Sequence, residues 1–503
     1  METRIPELRE ALLEIVHLKV SSRLCYWDQR VNMLTNHHGH AARAAMIASN
    51  RGLAHRLFTS PEMENLILRA RMLNFRNILD ADDRLIVERT WKDFEKAKKL
   101  PLEFVAETEK LYSDSYTVWV DAREKSDFRI FAPNLKRIVE VKRREAELLG
   151  YNGSPFNALL EDYEFGLTVQ KLDYTFSILK QFLIPFLAKI TKNRNNVSPL
   201  QKHPKISISR QREFGRQVIL ELGYDFKSGH LGESVHPFSE SFHPTDARIT
   251  IRYKEDDFRE ALYSGIHEAG HAMYEQNLPQ EYYGTHLGAS VSSSVHESQS
   301  RFWENIIGKS YAFWQYFYPL TQKSFPGLCD MFTTPEAFYK FVNIVAPSLI
   351  RTDADEVTYN LHVIIRHEIG RDLIEGKLKV DDVPLVWSLK MKKYLGIEVP
   401  DDAHGALQDC HWADGSFDFS IYTLGNLYAA QIYEAMQLAI PDLAQKISNG
   451  HFNHTLCWLR DNIHRHGARY TPEELITHTT DKPLDPYCLN KYLLQKYSDI
   501  YNL

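Results

Sequence analysis

The chain has 503 residues, 44% hydrophobic and 25% charged, the balance of a soluble globular protein with ample core. A net charge of −6 makes no electrostatic case for nucleic acid or an anionic membrane surface as partner. No run approaches the ~18 apolar residues of a membrane span, and the charged start lacks a signal-peptide h-region, so a cytoplasmic protein is expected.

The five cysteines (Cys25, Cys329, Cys410, Cys457, Cys488) are odd in number and widely spaced, which predicts reduced, packed thiols rather than a disulfide framework. From residue 6 to about 223 the text reads as one helix after another. Leu8, Leu12, Ile15 and Leu18 recur at helical spacing, as do Leu85, Trp91 and Phe94. Pro61, Pro101 and Pro133 are each placed just inside a helix start, where proline's missing N–H costs nothing. Gly150 to Pro155 predicts a break, and the polar stretch Asn193 to Pro204 a loop.

Residues 224–255 change character. Glycines and prolines interrupt the stretch, and Ala247 to Tyr253 alternates in the manner of a strand, predicting a small sheet. Asp256 or Asp257 caps the next helix, which runs to about Asn277 before Pro279 stops it. Phe258, Leu262, Ile266, Ala269 and Met273 form its apolar stripe. On the adjacent face lies His267-Glu268-Ala269-Gly270-His271, a His-Glu-x-x-His motif. Its histidines, four residues apart, stack one turn above the other and can grip one Zn²⁺, with Glu268 beside the ion's open side.

A catalytic zinc needs a third protein ligand and one open position. Glu297 follows His271 by enough chain for a loop and a new helix, and offers a carboxylate oxygen. It equally makes an ordinary i,i+4 pair with Arg301. His296 competes for the ligand role, but neighbours on a helix point about 100° apart, so one of the two should face away. Two further clusters, Ile350 to Tyr359 and Gly405 to Trp412, mix arginine, acids and histidine densely. Read alone, each is better taken as a solvated charged face or a satisfied ion network.

Six short motifs in order make the chain resemble the carboxypeptidase Taq family of zinc metallocarboxypeptidases. They are His236-Pro237-Phe238, Asp246 to Thr250, His267 to His271, His296-Glu297-Ser298-Gln299, Ile350 to Asp355, and Gly405 to Trp412. The helix-rich text with its one small β element predicts a mainly α, single peptidase domain over 1–503, with a deep active-site groove and a small sheet near the zinc helix. Residues 1–223 are expected to wall the groove and 224–503 to carry the site.

The resemblance implies release of single amino acids from peptide C-termini, and a homodimer. Zinc, with cobalt or manganese as alternatives, is expected on His267, His271 and Glu297, and Glu268 as general base. For the substrate's α-carboxylate, Arg351 is the first choice and Arg248 the second, since arginine's planar fork suits a carboxylate. His411 and Tyr422 are candidate oxyanion donors and His236 a further substrate contact. Asp353, Asp355 and Glu356 are expected to orient the histidines or to pair with the arginines. Gly415 to Gly425 departs from the family pattern, being one residue short and without its proline. An oligopeptidase or dipeptidyl carboxypeptidase is the alternative of the same chemistry.

Overall fold

The computed structural model describes residues 4–32, 37–194 and 204–503. Among these are twenty-one α-helices and one three-stranded sheet, the mainly α architecture the sequence predicts. No helix among the described residues is long and apolar enough to cross a membrane.

Local chemistry sets most of the boundaries. Pro61 opens the helix Pro61–Phe75 behind the N-cap Ser60, and Pro101 is itself the N-cap of Leu102–Glu124. Pro133 departs from expectation: it lies inside the helix Phe128–Leu149. The Asp127 side chain accepts from Arg129 N and starts that helix earlier, so Pro133 falls in its second turn. Gly150, at φ 78°, ends the helix where the break is predicted. Most of the expected 193–204 loop lies outside the described residues.

The strands β1 (Leu231–Glu233), β2 (Ser239–His243) and β3 (Asp246–Ile251) pair in the order β1-β3-β2. β1 runs parallel to β3 (Leu231↔Ile249), whereas β2 runs antiparallel (Ser239↔Ile249) and forms an edge. The sheet packs on the helix Phe258–Gln276, capped by Asp257 as predicted, whose Ile266, Ala269 and Met273 are fully buried. Burying an aliphatic side chain of this size contributes about 1.5–3 kcal/mol, so this stripe fixes the rotation of the helix and the direction of its polar face.

Two clusters of buried apolar side chains result. The larger draws on helices from Leu102–Glu124 through to Pro486–Tyr501 and surrounds the Phe258–Gln276 helix. The smaller joins residues between Ile5 and Phe94 with Leu287. The first helix, Pro6–Val31, reaches the sheet through Tyr26 and Trp27, whose rings meet Phe238 at 5.8 and 5.2 Å. The cysteines are all free.

Candidate active site

His267 and His271 project from the Phe258–Gln276 helix towards Glu297 on the neighbouring helix Ser293–Arg301. The two helices touch because Gly270 lacks a side chain: a Cβ there would lie 2.7 Å from Ser300 Cα. A third helix, Ser420–Ala439, closes on Glu297 through Gly425, where a Cβ would lie 2.6 Å from Glu297 Cγ. Two glycines thus let three backbones converge on one carboxylate.

Glu297 Oε2 lies 3.8 Å from His267 Nε2 and 3.4 Å from His271 Nε2, and the three candidate ligand atoms fall within 4.8 Å of one another. Ligands about 2.0–2.1 Å from a tetrahedral ion sit about 3.3 Å apart, so this donor set fits one divalent metal after small adjustments. Glu297's other oxygen, Oε1, accepts from Arg301 Nε at 2.7 Å. The i,i+4 pair and the metal-facing oxygen therefore coexist, one on each oxygen.

Each histidine is held from behind. His267 Nδ1 bonds Glu304 Oε2 at 2.9 Å. Glu304 also takes Arg301 Nη1 at 3.3 Å and, on its other oxygen, Lys309 Nζ at 3.2 Å. It sits in a π-helical turn, Phe302–Ile307, that ends the helix of Glu297 and is closed by Gly308 N donating to Trp303 O. His271 Nδ1 meets His296 Nδ1 at 2.6 Å, and His296 Nε2 bonds Glu275 Oε1 at 2.9 Å. His296 therefore does not face away from the site, since it is aimed behind His271.

These contacts order the charges. Burial draws the His271 imidazole down to about 3, keeping it neutral despite Glu297. Burial also lowers His267, but Glu297 and Glu304 outweigh it and raise that group above its ordinary value. Glu297 resists its own desolvation because Arg301 and His267 hold it ionised, well below the usual carboxylate range. Glu268, buried beside them, is pushed up to about 7 by desolvation, against the attraction of His267 and a hydrogen bond from Ser239 of β2.

Across the site, Arg351 opens a short 3₁₀ turn, Arg351–Asp353. Its Nε donates to Asp409 Oδ2 at 3.2 Å and its Nη1 to the Tyr359 hydroxyl at 3.0 Å. Its guanidinium stands over Phe419 (4.9 Å) and Tyr422 (5.1 Å). Asp409 also accepts from His411 Nδ1, so the buried carboxylate joins Arg351 to His411. Burial lowers His411, yet Asp409 outweighs it and lifts the imidazole to about 10. Asp409, Cys410 and His411 could also gather round an ion, but Asp409 is already committed to two cations.

Arg248 is placed differently. Its Nε and Nη2 are both taken by Asp246 at 2.7 and 2.8 Å. It lines a cavity of about 130 Å³ with Arg23, Glu275 and His296. A larger cavity of about 330 Å³ shares Arg23, Ser241 and Glu275 with it, between the first helix and β2. His236 is exposed, and burial together with Arg252, Arg30, Arg123 and His411 lowers its pKa.

The roles expected of Asp355 and Glu356 are corrected. Asp355 accepts from the backbone N–H groups of Val357, Thr358 and Ala346, and Glu356 bonds Lys496 and Tyr497. Neither reaches a site histidine or pairs with Arg351. Glu304, Glu275, Asp409 and Tyr359 fill those places instead. For Glu304 a signal existed, because Glu297, Arg301 and Glu304 follow the i, i+4, i+7 rhythm of one helix face.

A His-Glu-x-x-His helix with a carboxylate from the next helix, in a mainly α fold, defines a metal-dependent peptidase class. The comparisons carry this to a family. Residues 7–497 match the Carboxypeptidase Taq (M32) metallopeptidase family, and the chain belongs to it. It is 37% identical over 500 residues to Carboxypeptidase 1 of Bacillus subtilis (strain 168), covering 99% of this chain and 98% of that one. Thermostable carboxypeptidase 1 of Thermus thermophilus is 35% identical over 512 residues, with 99% of each chain covered. The crystal structure of M32 carboxypeptidase from Deinococcus radiodurans R1 superposes with a TM-score of 0.95 at 36% identity, over 99% of both chains. The protein is thus a metallocarboxypeptidase by family, as the six motifs imply.

Proposed function

We propose that the chain is a zinc metallocarboxypeptidase releasing single amino acids from the C-termini of peptides. Two imidazoles and a carboxylate are the ligand set of zinc peptidases, with cobalt or manganese as chemically acceptable substitutes. When bound, such an ion supplies Lewis acidity and acidifies a water molecule.

The protein's own residues supply the rest. Glu268, buried and lifted towards neutrality by its surroundings, takes the proton of the attacking water and returns it to the leaving amine. With a dication held by His267, His271 and Glu297, this carboxyl would be drawn down again and would remain available as a base. Arg351 receives the terminal carboxylate. His411, cationic beside Asp409, and Tyr422, under the Arg351 guanidinium, are the oxyanion donors of this reading.

The observation carrying this reading is the bridge formed by Tyr359. Arg301, which grips Glu297, lies 4.2 Å over the Tyr359 ring, and Arg351 bonds its hydroxyl. Arg351, the carboxylate reader of this reading, is thereby linked through Tyr359 and Arg301 to the candidate ligand Glu297, which supports its serving the same site. Flexible peptides entering past the first helix are the substrates. The homodimer belongs to this reading by family resemblance, and the cytoplasmic setting by the charged start and the few, widely spaced cysteines.

The test is a time course of products from a short peptide, with and without chelator, for wild type and Glu268→Gln. Single amino acids released stepwise, lost on chelation and lost in Glu268→Gln with metal retained, are expected. Dipeptides or internal fragments overturn the proposal in favour of an oligopeptidase or dipeptidyl carboxypeptidase.

A further inference from the structure

We propose that Glu275 and His296 are positioning residues that fix the tautomer and orientation of His271. The inference rests on the metal-site reading above and adds two residues to it.

The proton count of the three groups fixes their tautomers. His271 turns Nε2 to Glu297 Oε2, and a ring nitrogen that ligates a metal carries no proton. Its single proton therefore sits on Nδ1, which faces His296 Nδ1 at 2.6 Å. Only one hydrogen fits in that gap, so His296 accepts there and carries its own proton on Nε2. That proton points to Glu275 Oε1 at 2.9 Å, a carboxylate that only accepts. One arrangement satisfies all three groups: His271 donates to His296, and His296 donates to Glu275.

Packing holds the chain in this register. The His271 and His296 rings lie 4.6 Å apart at 31°, and the Tyr274 ring backs His296 at 5.3 Å. Glu275 follows His271 by one helical turn, and His296 directly precedes Glu297. The same two helices that supply the three candidate ligands thus also supply this support. It differs from the support of His267, which reaches a carboxylate directly through Glu304. His271 has an imidazole interposed, so its orientation depends on a residue that can be replaced without touching any candidate ligand.

The test compares His296→Leu, His296→Asn and Glu275→Leu with wild type in Co²⁺ affinity, by chelator competition, and in the visible d–d spectrum of the bound ion. Leu removes the acceptor for His271 Nδ1–H, whereas the Asn side-chain oxygen can occupy the place of His296 Nδ1. His296→Leu is expected to weaken Co²⁺ about 10- to 100-fold, the range for loss of a ligand's hydrogen-bonded support. Its d–d bands should shift, Glu275→Leu should follow in the same direction, and His296→Asn should restore most of the affinity. The inference is overturned if His296→Leu binds Co²⁺ with wild-type affinity and spectrum, or if His296→Asn is no better than His296→Leu. Failure of the underlying reading looks different, because wild type itself then takes up no stoichiometric Co²⁺, or keeps it after Glu297→Ala.

Discussion

Replacing Arg351 tests the exopeptidase reading most directly. Of its guanidinium nitrogens, Nε is engaged by Asp409 and Nη1 by Tyr359, while Nη2 makes no hydrogen bond among the described residues. A substrate carboxylate can therefore add a charge-assisted contact at Nη2 without displacing either partner. Such a bond is worth about 1.5–3 kcal/mol. Loss of the contact in Arg351→Ala should cost kcat/KM about 10- to 140-fold at about 1.4 kcal/mol per factor of ten. Arg248 has two donors already closed on Asp246, so Arg248→Ala should cost far less. The assay compares N-blocked dipeptides ending in a free acid with the same peptides ending in an amide. Wild type should cleave the acid and leave the amide, and Arg351→Ala should lose much of that preference. If Arg351→Ala keeps both its rate on the acid and its discrimination while Arg248→Ala loses them, the assignment of the carboxylate reader is refuted.

Three further outcomes are expected. Gly425→Ala places a methyl 2.6 Å from Glu297 Cγ; overpacking of this kind costs about 1–3 kcal/mol, so Tm should fall and metal affinity with it, and an unchanged affinity would show that Glu297 is not held by this contact. The folded pKa of His411, about 10, lies above its unfolded value; the stability it contributes is complete below pH ~6.5 and is lost as pH rises through 10, with a slope of at most about 1.4 kcal/mol per pH unit. Denaturant melts of His411→Gln should lack that component between those limits. Lys496 and Glu356, 7% and 6% exposed, pair at 2.7 Å; Lys496→Met strands the carboxylate and should destabilise by about 3–5 kcal/mol, with recovery in the double variant Lys496→Met, Glu356→Gln, as read from thermal melts.

Legibility in the sequence followed the range of the interaction. The apolar stripe from Phe258 to Met273, the Asp257 cap and the break at Gly150 all act within a few residues, and they stand where the text puts them. Pro133 is the exception, because Asp127 offers a stronger start upstream. The site separates the same way. His267 and His271 share one helix, and Glu297 was reachable by loop length. Asp409 under Arg351, by contrast, is 58 residues away, and the bond between Tyr359 and Arg351 forms only after the chain folds back. The two-sided use of Glu297 was invisible for another reason: the ligand role and the Arg301 pair read as alternatives when the carboxylate is treated as one acceptor, yet it has two oxygens.

Charge balance explains why so many residues converge here. Around the two histidines stand the carboxylates Glu268, Glu297 and Glu304 and the cations Arg301 and Lys309. Arg301 bonds both Glu297 and Glu304, and Lys309 takes the remaining oxygen of Glu304, so two negative charges are matched within the protein. Glu268 is left over, and burial pushes its carboxyl up towards neutrality, which is how a buried group meets an unmatched charge. A dication would give Glu268 a counter-charge. On the other side Arg351 and His411 share the single carboxylate Asp409, so on the proposed reading one positive charge there awaits the α-carboxylate of a peptide, which an amide-ended peptide does not bring. Selection for the free C-terminus is thus supported twice on that reading, by the open Nη2 of Arg351 and by the positive charge it and His411 keep beyond Asp409.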